Sequence, residues 1–305
     1  MLGKYVNIFR GGKEMEVIKV IPQGFCKGVV RAIMIAEKTA QEYPNSPIYV
    51  LGMIVHNKYV VASLEKLGIR TLEARGKTRM ELLESISEGV VIITAHGVNP
   101  EVIELATKKG LIVVDATCQD VKKTQQLLIS KLQQGYDIIY FGVKGHPEAE
   151  AMCSLDNNHI HLVFDEKSLN ELVIDNPKVL VTNQTTMSVL EIRNWIETIQ
   201  TRFPTAQVQP EICSATSERQ QAVLNLNNID ALFVVGDPSS NNTLKLASIA
   251  QQKNAFDVYL AESADDISDL ELSNLKKVAV TSGASTPSYL TDKVIECLQG
   301  VKQSG

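Results

Sequence analysis

An apolar run leads into a cysteine in Leu111-Ile112-Val113-Val114-Asp115-Ala116-Thr117-Cys118. A short apolar run followed by a helix-like segment is typical of a buried strand in an α/β protein. The same combination recurs at Cys26 and Cys213, which lie 92 positions before and 95 positions after Cys118. After each cysteine and its helix-like segment comes an apolar strand that ends in glycine, at Gly52, Gly142 and Gly236. The sequence therefore predicts three copies of one α/β unit, each with one thiol at an equivalent position.

These units are domain-sized, because solenoid repeats run only about 20–50 residues. The predicted boundaries are 28–117, 118–212 and 213–300, and segment 15–27 is expected to complete the third unit with its apolar strand. Residues 1–14 are expected to be a disordered or mis-annotated leader before an initiator at Met15. Alternating strands and helices favour a parallel sheet covered by helices. Packing around a pseudo-threefold axis would bring the three thiols together at the strand ends, where α/β proteins build sites.

The amino-acid composition argues against a nucleic-acid-binding protein and against a membrane-spanning one. The chain has 305 residues, 44% of them hydrophobic, which is ample for a core, and its net charge of −5 argues against a nucleic-acid partner held by bulk electrostatics. No apolar run reaches the roughly 18–20 residues that span a bilayer, so no membrane segment is expected. A cationic and then apolar signal sequence is not recognisable either. We therefore expect a cytoplasmic location, where thiols stay reduced.

The three matched cysteines indicate a metal site. Taken singly, each would be read as a buried small side chain, and five cysteines at long spacings are not a disulfide framework. Zinc sites usually have four ligands with close pairs, and no C-x-x-C occurs here. Iron–sulfur clusters also commonly take four cysteines, but Cys153 and Cys297 lie outside the repeat. Three thiolates on a 4Fe–4S cluster leave one iron open to bind a substrate oxygen.

Histidines follow several of the predicted strands, at His56, His96 and His146. A single one would be read as a hydrogen-bonded loop residue, but three at related strand ends favour a shared site for an anion. His159 and His161 follow a turn and are expected at the surface.

Hydroxyl and amide side chains follow other strands, in Thr182–Thr186, Ser239–Thr243 and Ser282–Ser285. Such residues with backbone N–H groups at a helix start bind phosphate oxygens, although turns and helix caps use the same residue types. The P-loop, G-x-G-x-x-G and H-E-x-x-H motifs are absent from the sequence. Glu148, two positions after His146, is predicted to hold a proton for delivery, because a dry site disfavours the charged carboxylate.

With these motifs in this order, the chain resembles the LytB family of 4-hydroxy-3-methylbut-2-enyl diphosphate reductases from about Met15 to Leu298. The motifs are Gly24-Phe25-Cys26, Val55-His56-Asn57, Ala95-His96-Gly97-Val98, Asp115-Ala116-Thr117-Cys118, Gly145-His146-Pro147-Glu148, Gln184-Thr185-Thr186, Ile212-Cys213, Ser240-Asn241-Asn242 and Gly283-Ala284-Ser285-Thr286-Pro287. Departures include Gln119 where proline is usual and Lys245 where arginine is common.

The resemblance implies a trefoil of three α/β units around a central 4Fe–4S cluster, held by Cys26, Cys118 and Cys213 with one iron open. It implies a substrate diphosphate bound by His56, His96, Ser240, Asn241, Asn242 and Ser285. It places His146, Thr185 and Glu148 around the substrate hydroxyl, with Glu148 central to proton supply. The implied reaction is the last step of the non-mevalonate isoprenoid pathway, with an electron donor such as ferredoxin or flavodoxin.

Two other functions are alternatives to the reductase. A non-catalytic iron–sulfur electron carrier predicts four protein ligands and no anion-binding strand ends, and the sequence fits neither expectation. A zinc-dependent hydrolase of a phosphorylated metabolite remains the alternative, and the colour of anaerobically purified protein distinguishes it from the reductase.

Overall fold

A computed structural model describes residues 6–8, 15–74, 76–253 and 255–300. The strands are β1 (Val6–Ile8), β2 (Glu16–Lys19), β3 (Ile48–Leu51), β4 (Ile69–Leu72), β5 (Val90–Ile93), β6 (Ile112–Asp115), β7 (Asp137–Phe141), β8 (Ile160–Val163), β9 (Val179–Asn183), β10 (Gln207–Val208), β11 (Ala231–Val235), β12 (Asp257–Ala261) and β13 (Lys277–Ser282). The helices are α1 (Lys27–Glu42), α2 (Lys58–Glu65), α3 (Arg79–Glu84), α4 (Pro100–Lys108), α5 (Gln119–Gln133), α6 (Pro147–Cys153), α7 (Glu166–Asn170), α8 (Val189–Arg202), α9 (Ser214–Leu224), α10 (Asn241–Lys253) and α11 (Ser288–Gly300).

Within the described residues the strands form three sheets of one topology. The first sheet has the order β4-β3-β5-β6, the second β8-β7-β9-β10 and the third β12-β11-β13-β2, with parallel pairing throughout. Strand β1 adds to β2 in antiparallel orientation. The predicted α/β class with three repeated units is confirmed.

In each sheet the strand order reverses between the two central strands, for example between β3 and β5. The next strand after β3 lies on one side of it, and the later strands lie on the other side. Crevices for ligands form at the carboxyl ends of strands at such switch points. The topology therefore predicts one candidate site region per sheet, at the ends of its two central strands.

The chain divides into two compact units. The first unit comprises the described residues of Met1–Cys26, His56–Lys58 and Ser214–Gly305, and contains the third sheet. The second comprises those of Lys27–Val55 and Tyr59–Cys213, and contains the first and second sheets. The predicted domain boundaries and the trefoil arrangement stay predictions.

The N-terminal strand β2 pairs with β13, and Val17 lies opposite Val278 in the register. The expectation of a leader at 1–14 falls mostly outside the described residues, of which Val6–Ile8 form β1.

The central strands form the core of each sheet. All residues of β5, β7, β9 and β11 are buried. Because helices cover the faces of parallel sheets, central strands carry continuous apolar runs instead of alternating ones. In the second sheet Phe141 packs against Trp195 of α8, with ring centroids 4.9 Å apart. No helix in the described ranges is long and apolar enough to cross a membrane, and the cytoplasmic location stays a prediction.

Two histidines expected at the surface differ in their environment. The side chain of His159 is 57% exposed, whereas that of His161 is 25% exposed. Both imidazole rings contact Asp137, whose two carboxylate oxygens lie 2.9 Å from His159 Nδ1 and 3.1 Å from His161 Nε2. His161 lies in β8 and is only partly exposed, beside the carboxylate of Asp137 at the start of β7.

Candidate active site

Each of the three matched cysteines is anchored in the same way. Its backbone N–H donates a hydrogen bond to a carbonyl oxygen just beyond the end of the neighbouring central strand. The three bonds run from Cys118 to Ala95 (3.0 Å), from Cys213 to Thr185 (3.1 Å) and from Cys26 to Ala284 (3.0 Å). The equivalence seen in the sequence is thus present in the backbone hydrogen bonds of all three sheets.

A helix begins directly after each of these cysteines. Helices α1, α5 and α9 start at Lys27, Gln119 and Ser214 and have 16, 15 and 11 residues. Cys118 is the N-cap of α5, with backbone angles of φ −58° and ψ 143°. The start of a helix carries a partial positive charge and free N–H groups, which suit a negatively charged metal cluster held at this point.

Cys153 has a different environment. It is half-buried near the end of α6, and burial raises the pKa of its thiol to about 12. A thiol with a raised pKa ionises less readily than an ordinary one, and the thiolate is the form that binds metal. No disulfide joins any of the five cysteines, all of which lie in the described part of the chain.

Glu148 is a buried carboxyl bound through both oxygens to one residue. Its Oε1 accepts a hydrogen bond from the backbone N–H of Thr185 at 2.7 Å, and its Oε2 lies 2.8 Å from Thr185 Oγ1. The side chain is 1% exposed. Burial raises the pKa of Glu148 to about 7, although the bonds from Thr185 and Tyr140 act in the opposite direction. A carboxyl with this pKa holds and releases a proton near neutral pH.

His146 is held in one tautomer by the start of α6. It is the N-cap residue, and its Nδ1 accepts a hydrogen bond from the backbone N–H of Glu148 at 3.1 Å. Because Nδ1 is the acceptor, the proton of the neutral ring lies on Nε2, which is then the donor. The ring of His96, at the end of the first sheet, meets that of His146 edge to face, with centroids 5.4 Å apart.

Tyr140 was not singled out from the sequence. It lies within β7, is fully buried, and its hydroxyl is 3.5 Å from Glu148 Oε1. Burial, followed by the nearby charge of Glu148, raises the pKa of this phenol well above 10. The hydroxyl therefore stays protonated and can donate to the carboxylate. In the sequence, Tyr140 is one residue of an apolar strand, and its hydroxyl group is the only feature that indicates a polar contact.

In the first unit, hydroxyl groups connect the ends of β11 and β13. Ser285 Oγ lies 3.2 Å from Ser240 Oγ and donates to the carbonyl oxygen of His56 at 3.1 Å. Ser240 and Ser285 are 4% and 7% exposed. The geometry thus brings three of the predicted phosphate-binding residues together within one hydrogen-bonded group.

Helix α10 begins in this same group. Asn241 and Asn242 form its first turn, and both are buried. Among the described residues, the buried atoms Asn242 Oδ1 and Thr243 Oγ1 have no hydrogen-bond partner. Buried polar atoms normally find partners, and a half-turn of the Asn242 amide presents its NH₂ at the same place. A helix start with unsatisfied polar atoms suits an anionic ligand.

Gly283 allows the close approach of β13 to α10. A Cβ at this position would lie 2.1 Å from Thr243 Oγ1, too close for any side chain. A larger residue here would therefore displace the Thr243 hydroxyl at the start of α10.

Asp237, directly after Gly236 at the end of β11, is the second residue that sequence reasoning missed. One carboxylate oxygen accepts from the N–H of Lys58 at 3.1 Å, and the other from the N–H and Oγ of Ser239 at 2.8 and 2.6 Å. Burial alone would raise the pKa of Asp237, but these bonds and the charge of His56 lower it below its ordinary 3.8. An aspartate after a strand-ending glycine is a common turn residue, so the sequence carried no stronger signal.

Comparisons with known proteins show the family of this chain. The family model described as LytB protein matches residues 17–299. The chain belongs to the LytB family. A 4-hydroxy-3-methylbut-2-enyl diphosphate reductase of Geobacillus sp. (strain WCH70) is 45% identical over 288 residues, covering 93% of this chain and 90% of that protein. The enzyme of the same name from Brevibacillus brevis is 46% identical over 287 residues, covering 93% and 92%.

Solved structures of LytB relatives also match. The E-1-hydroxy-2-methyl-but-2-enyl-4-diphosphate reductase of Plasmodium falciparum has a TM-score of 0.84 and 33% identity, covering 93% of this chain and 87% of that one. A second structure, titled as (E)-4-hydroxy-3-methyl-but-2-enyl diphosphate reductase, the terminal enzyme of the non-mevalonate pathway, has a TM-score of 0.65 and 30% identity. It covers 93% of this chain and 99% of that one.

In this LytB chain the predicted site residues fall into the two compact units. Those in the second unit are His96, Cys118, His146, Glu148, Thr185 and Cys213. Those in the first unit are Cys26, His56, Ser240, Asn241, Asn242 and Ser285. The acid–base group of Glu148 and Thr185 thus belongs to the second unit, and the hydroxyl-rich helix start to the first.

Proposed function

We propose that this protein is a 4-hydroxy-3-methylbut-2-enyl diphosphate reductase whose cofactor is a 4Fe–4S cluster on Cys26, Cys118 and Cys213. The observation that carries the proposal is the position of Thr185. Its N–H and hydroxyl hold the buried carboxyl of Glu148, and its carbonyl oxygen anchors the N–H of Cys213. One residue therefore joins a proton store with a pKa of about 7 to a proposed metal ligand.

The reaction removes the allylic hydroxyl of the substrate as water. The C–O bond breaks, two electrons and two protons are consumed, and the products are isopentenyl and dimethylallyl diphosphates. When bound, the cluster supplies the electrons and an open iron that acts as a Lewis acid. The three cysteines fit such a cluster, since each carries its sulfur on the residue directly before the start of a helix. Cys153 lies at the end of a helix instead, and burial raises the pKa of its thiol.

Glu148 and Thr185 supply a proton to the leaving hydroxyl. The N–H of Thr185 requires an acceptor at Oε1, so the proton of the neutral Glu148 lies on Oε2, facing Thr185 Oγ1 2.8 Å away. The threonine hydroxyl accepts this proton and passes its own to the substrate oxygen. His146 offers its Nε2–H as a further donor, because Nδ1 is occupied by the N–H of Glu148.

The diphosphate is bound by the polar residues at the strand ends. Ser240, Asn241, Asn242 and Ser285 surround the start of α10, where N–H groups and the helix dipole favour negative charge. His56 and His96 are proposed to add imidazole donors. Anchoring the diphosphate holds the distant hydroxyl in place, so part of the binding energy serves the chemical step.

An anaerobic assay tests the proposal. Protein purified without air, or reconstituted with iron and sulfide, is supplied with 4-hydroxy-3-methylbut-2-enyl diphosphate and reduced ferredoxin or flavodoxin, with dithionite and a viologen as the chemical alternative. The expected result is a brown protein that forms both isoprenoid diphosphates and loses activity in air. A colourless protein with one zinc per chain that releases phosphate from the substrate would refute the proposal in favour of the hydrolase.

A further inference from the structure

Asp237 is a buried carboxylate in a region that is proposed to bind a diphosphate. It is 8% exposed, and its lowered pKa keeps it charged at neutral pH. A negative charge beside an anion site weakens anion binding by Coulomb repulsion. A favourable effect of Asp237 on diphosphate binding must therefore outweigh this repulsion if the carboxylate is to benefit the site.

The hydrogen bonds of Asp237 join two segments that carry phosphate-binding candidates. One oxygen holds the N–H of Lys58, the first residue of α2 and two positions after His56. The other holds Ser239, the residue before Ser240, by its N–H and its hydroxyl. Ser285 Oγ also contacts both segments, at the carbonyl oxygen of His56 and at Ser240 Oγ.

We propose that Asp237 is a positioning residue for the substrate diphosphate, which fixes the His56 segment and the Ser240 segment at the spacing that the diphosphate requires. The inference rests on the proposed function. Charge-assisted hydrogen bonds to backbone N–H groups are short and directional, so the carboxylate, which accepts three hydrogen bonds from the two segments, sets the geometry of both. The stabilising geometry outweighs the repulsion.

The two effects of Asp237 have opposite signs, which makes the proposal testable. If the carboxylate acts by positioning, then Asp237→Ala weakens anion binding, because both segments lose a shared anchor. If it acted only through its charge, then Asp237→Ala and Asp237→Asn would tighten binding. Asp237→Asn keeps one acceptor oxygen and turns an NH₂ towards an N–H donor, so we expect an intermediate loss.

Asp230 provides a matched control at the opposite end of the same strand. Its Oδ2 also accepts two backbone hydrogen bonds, from Lys276 at 2.7 Å and Lys277 at 2.8 Å. Asp230→Ala therefore removes a comparable backbone anchor from the third sheet, but one that lies at the amino end of β11.

The experiment measures binding of inorganic pyrophosphate to the cluster-containing protein by anaerobic calorimetry, together with KM and kcat. For Asp237→Ala we expect the pyrophosphate Kd and the substrate KM to rise about ten- to a hundredfold, with a much smaller change in kcat. Asp230→Ala should lower the melting temperature while leaving Kd within about twofold, as expected for a site away from the ligand.

The outcomes separate this inference from the proposed function. A wild-type protein that neither binds pyrophosphate nor reduces the substrate overturns both. An active wild type whose Asp237→Ala variant binds pyrophosphate equally or more tightly overturns only the positioning role. Equal losses of affinity in Asp237→Ala and Asp230→Ala also overturn it, because they would reveal a general effect of destabilisation.

Discussion

The Glu148→Gln variant removes the acidic proton of Glu148 but can keep the hydrogen bonds of its side chain. The glutamine Oε1 can accept from the N–H of Thr185, its NH₂ can donate to Thr185 Oγ1, and the hydroxyl of Tyr140 keeps its partner. The variant therefore retains shape and contacts but has no acid. General acid catalysis contributes about 10²–10⁴-fold, so we expect kcat to fall by that factor while KM changes little.

The pH dependence of kcat provides a second test of the role of Glu148. Burial raises the pKa of Glu148 to about 7, so about nine tenths of the carboxyl is protonated at pH 6 and about one tenth at pH 8. The acid form is required, and kcat of the wild type should fall about tenfold per pH unit above neutrality. The residual activity of Glu148→Gln should not show this decline.

The raised pKa of Glu148 also makes the free energy of unfolding depend on pH, in a direction that can be predicted. Because the folded pKa of Glu148 is raised above its ordinary 4.5, the contribution of the neutral acid is complete below about pH 4.5 and is lost as the pH rises through about 7. The difference of about 2.5 pKa units corresponds to about 3 kcal/mol. Glu148→Gln should thus unfold at higher temperature than the wild type at pH 8, with a smaller difference at pH 5.

Glu150→Gln is the control, since Glu150 is an exposed carboxylate two residues further along α6. It should retain wild-type kcat and pH dependence. The measurements are anaerobic steady-state kinetics from pH 6 to 9 and thermal unfolding, with cluster content determined in each variant. Normal turnover of Glu148→Gln at saturating substrate would refute the role of Glu148 as proton donor.

Further predictions follow from the other site residues. Cys118→Ser should lose cluster and activity, whereas Cys153→Ser should keep both; equal iron content in the two variants would contradict the ligand assignment. Tyr140→Phe removes a hydrogen bond that favours the ionised Glu148, so the apparent pKa in the kcat profile should rise, and an unchanged or lower value would show that the hydroxyl does not act on the carboxylate. Ser285→Ala removes a donor to a charged group, worth about 1.5–3 kcal/mol, so KM should rise about ten- to a hundredfold with a smaller loss of kcat; a purely kcat-based loss would argue against phosphate binding.

Much of the fold could be predicted from the sequence because the signal was repeated. Buried central strands have continuous apolar runs, and each repeat ends its strands with glycine, histidine or small polar residues. The strand that precedes Cys213, β10, is the shortest of the three equivalent strands in the described residues, with only two residues. A strand this short carries little periodicity, and it was recognised only through its place before Cys213.

The candidate residues that the sequence did not indicate act through tertiary hydrogen bonds. Tyr140 lies in an apolar strand, and its polar role depends on Glu148, eight positions later and on a different element. Asp237 resembles an ordinary turn residue until the structure places Lys58, 179 positions away in the chain, at its carboxylate. Hydrogen bonds between residues that are distant in the chain produce no local pattern in the sequence. The sequence therefore predicts where the strands end, but not which side chains form hydrogen bonds there.

The closure of the third sheet by β2 has a consequence for biosynthesis. Cys118 and Cys213 take their anchors from Ala95 and Thr185, which precede them by 23 and 28 positions and are therefore synthesised before them. Cys26 depends instead on Ala284, and the nearby bond from Gly24 N–H to Ser282 Oγ spans 258 positions. Translation proceeds at about 5–20 residues per second, so β2 waits for tens of seconds before β13 emerges. Cys26, the first of the three thiols to be synthesised, is the last to gain its backbone anchor.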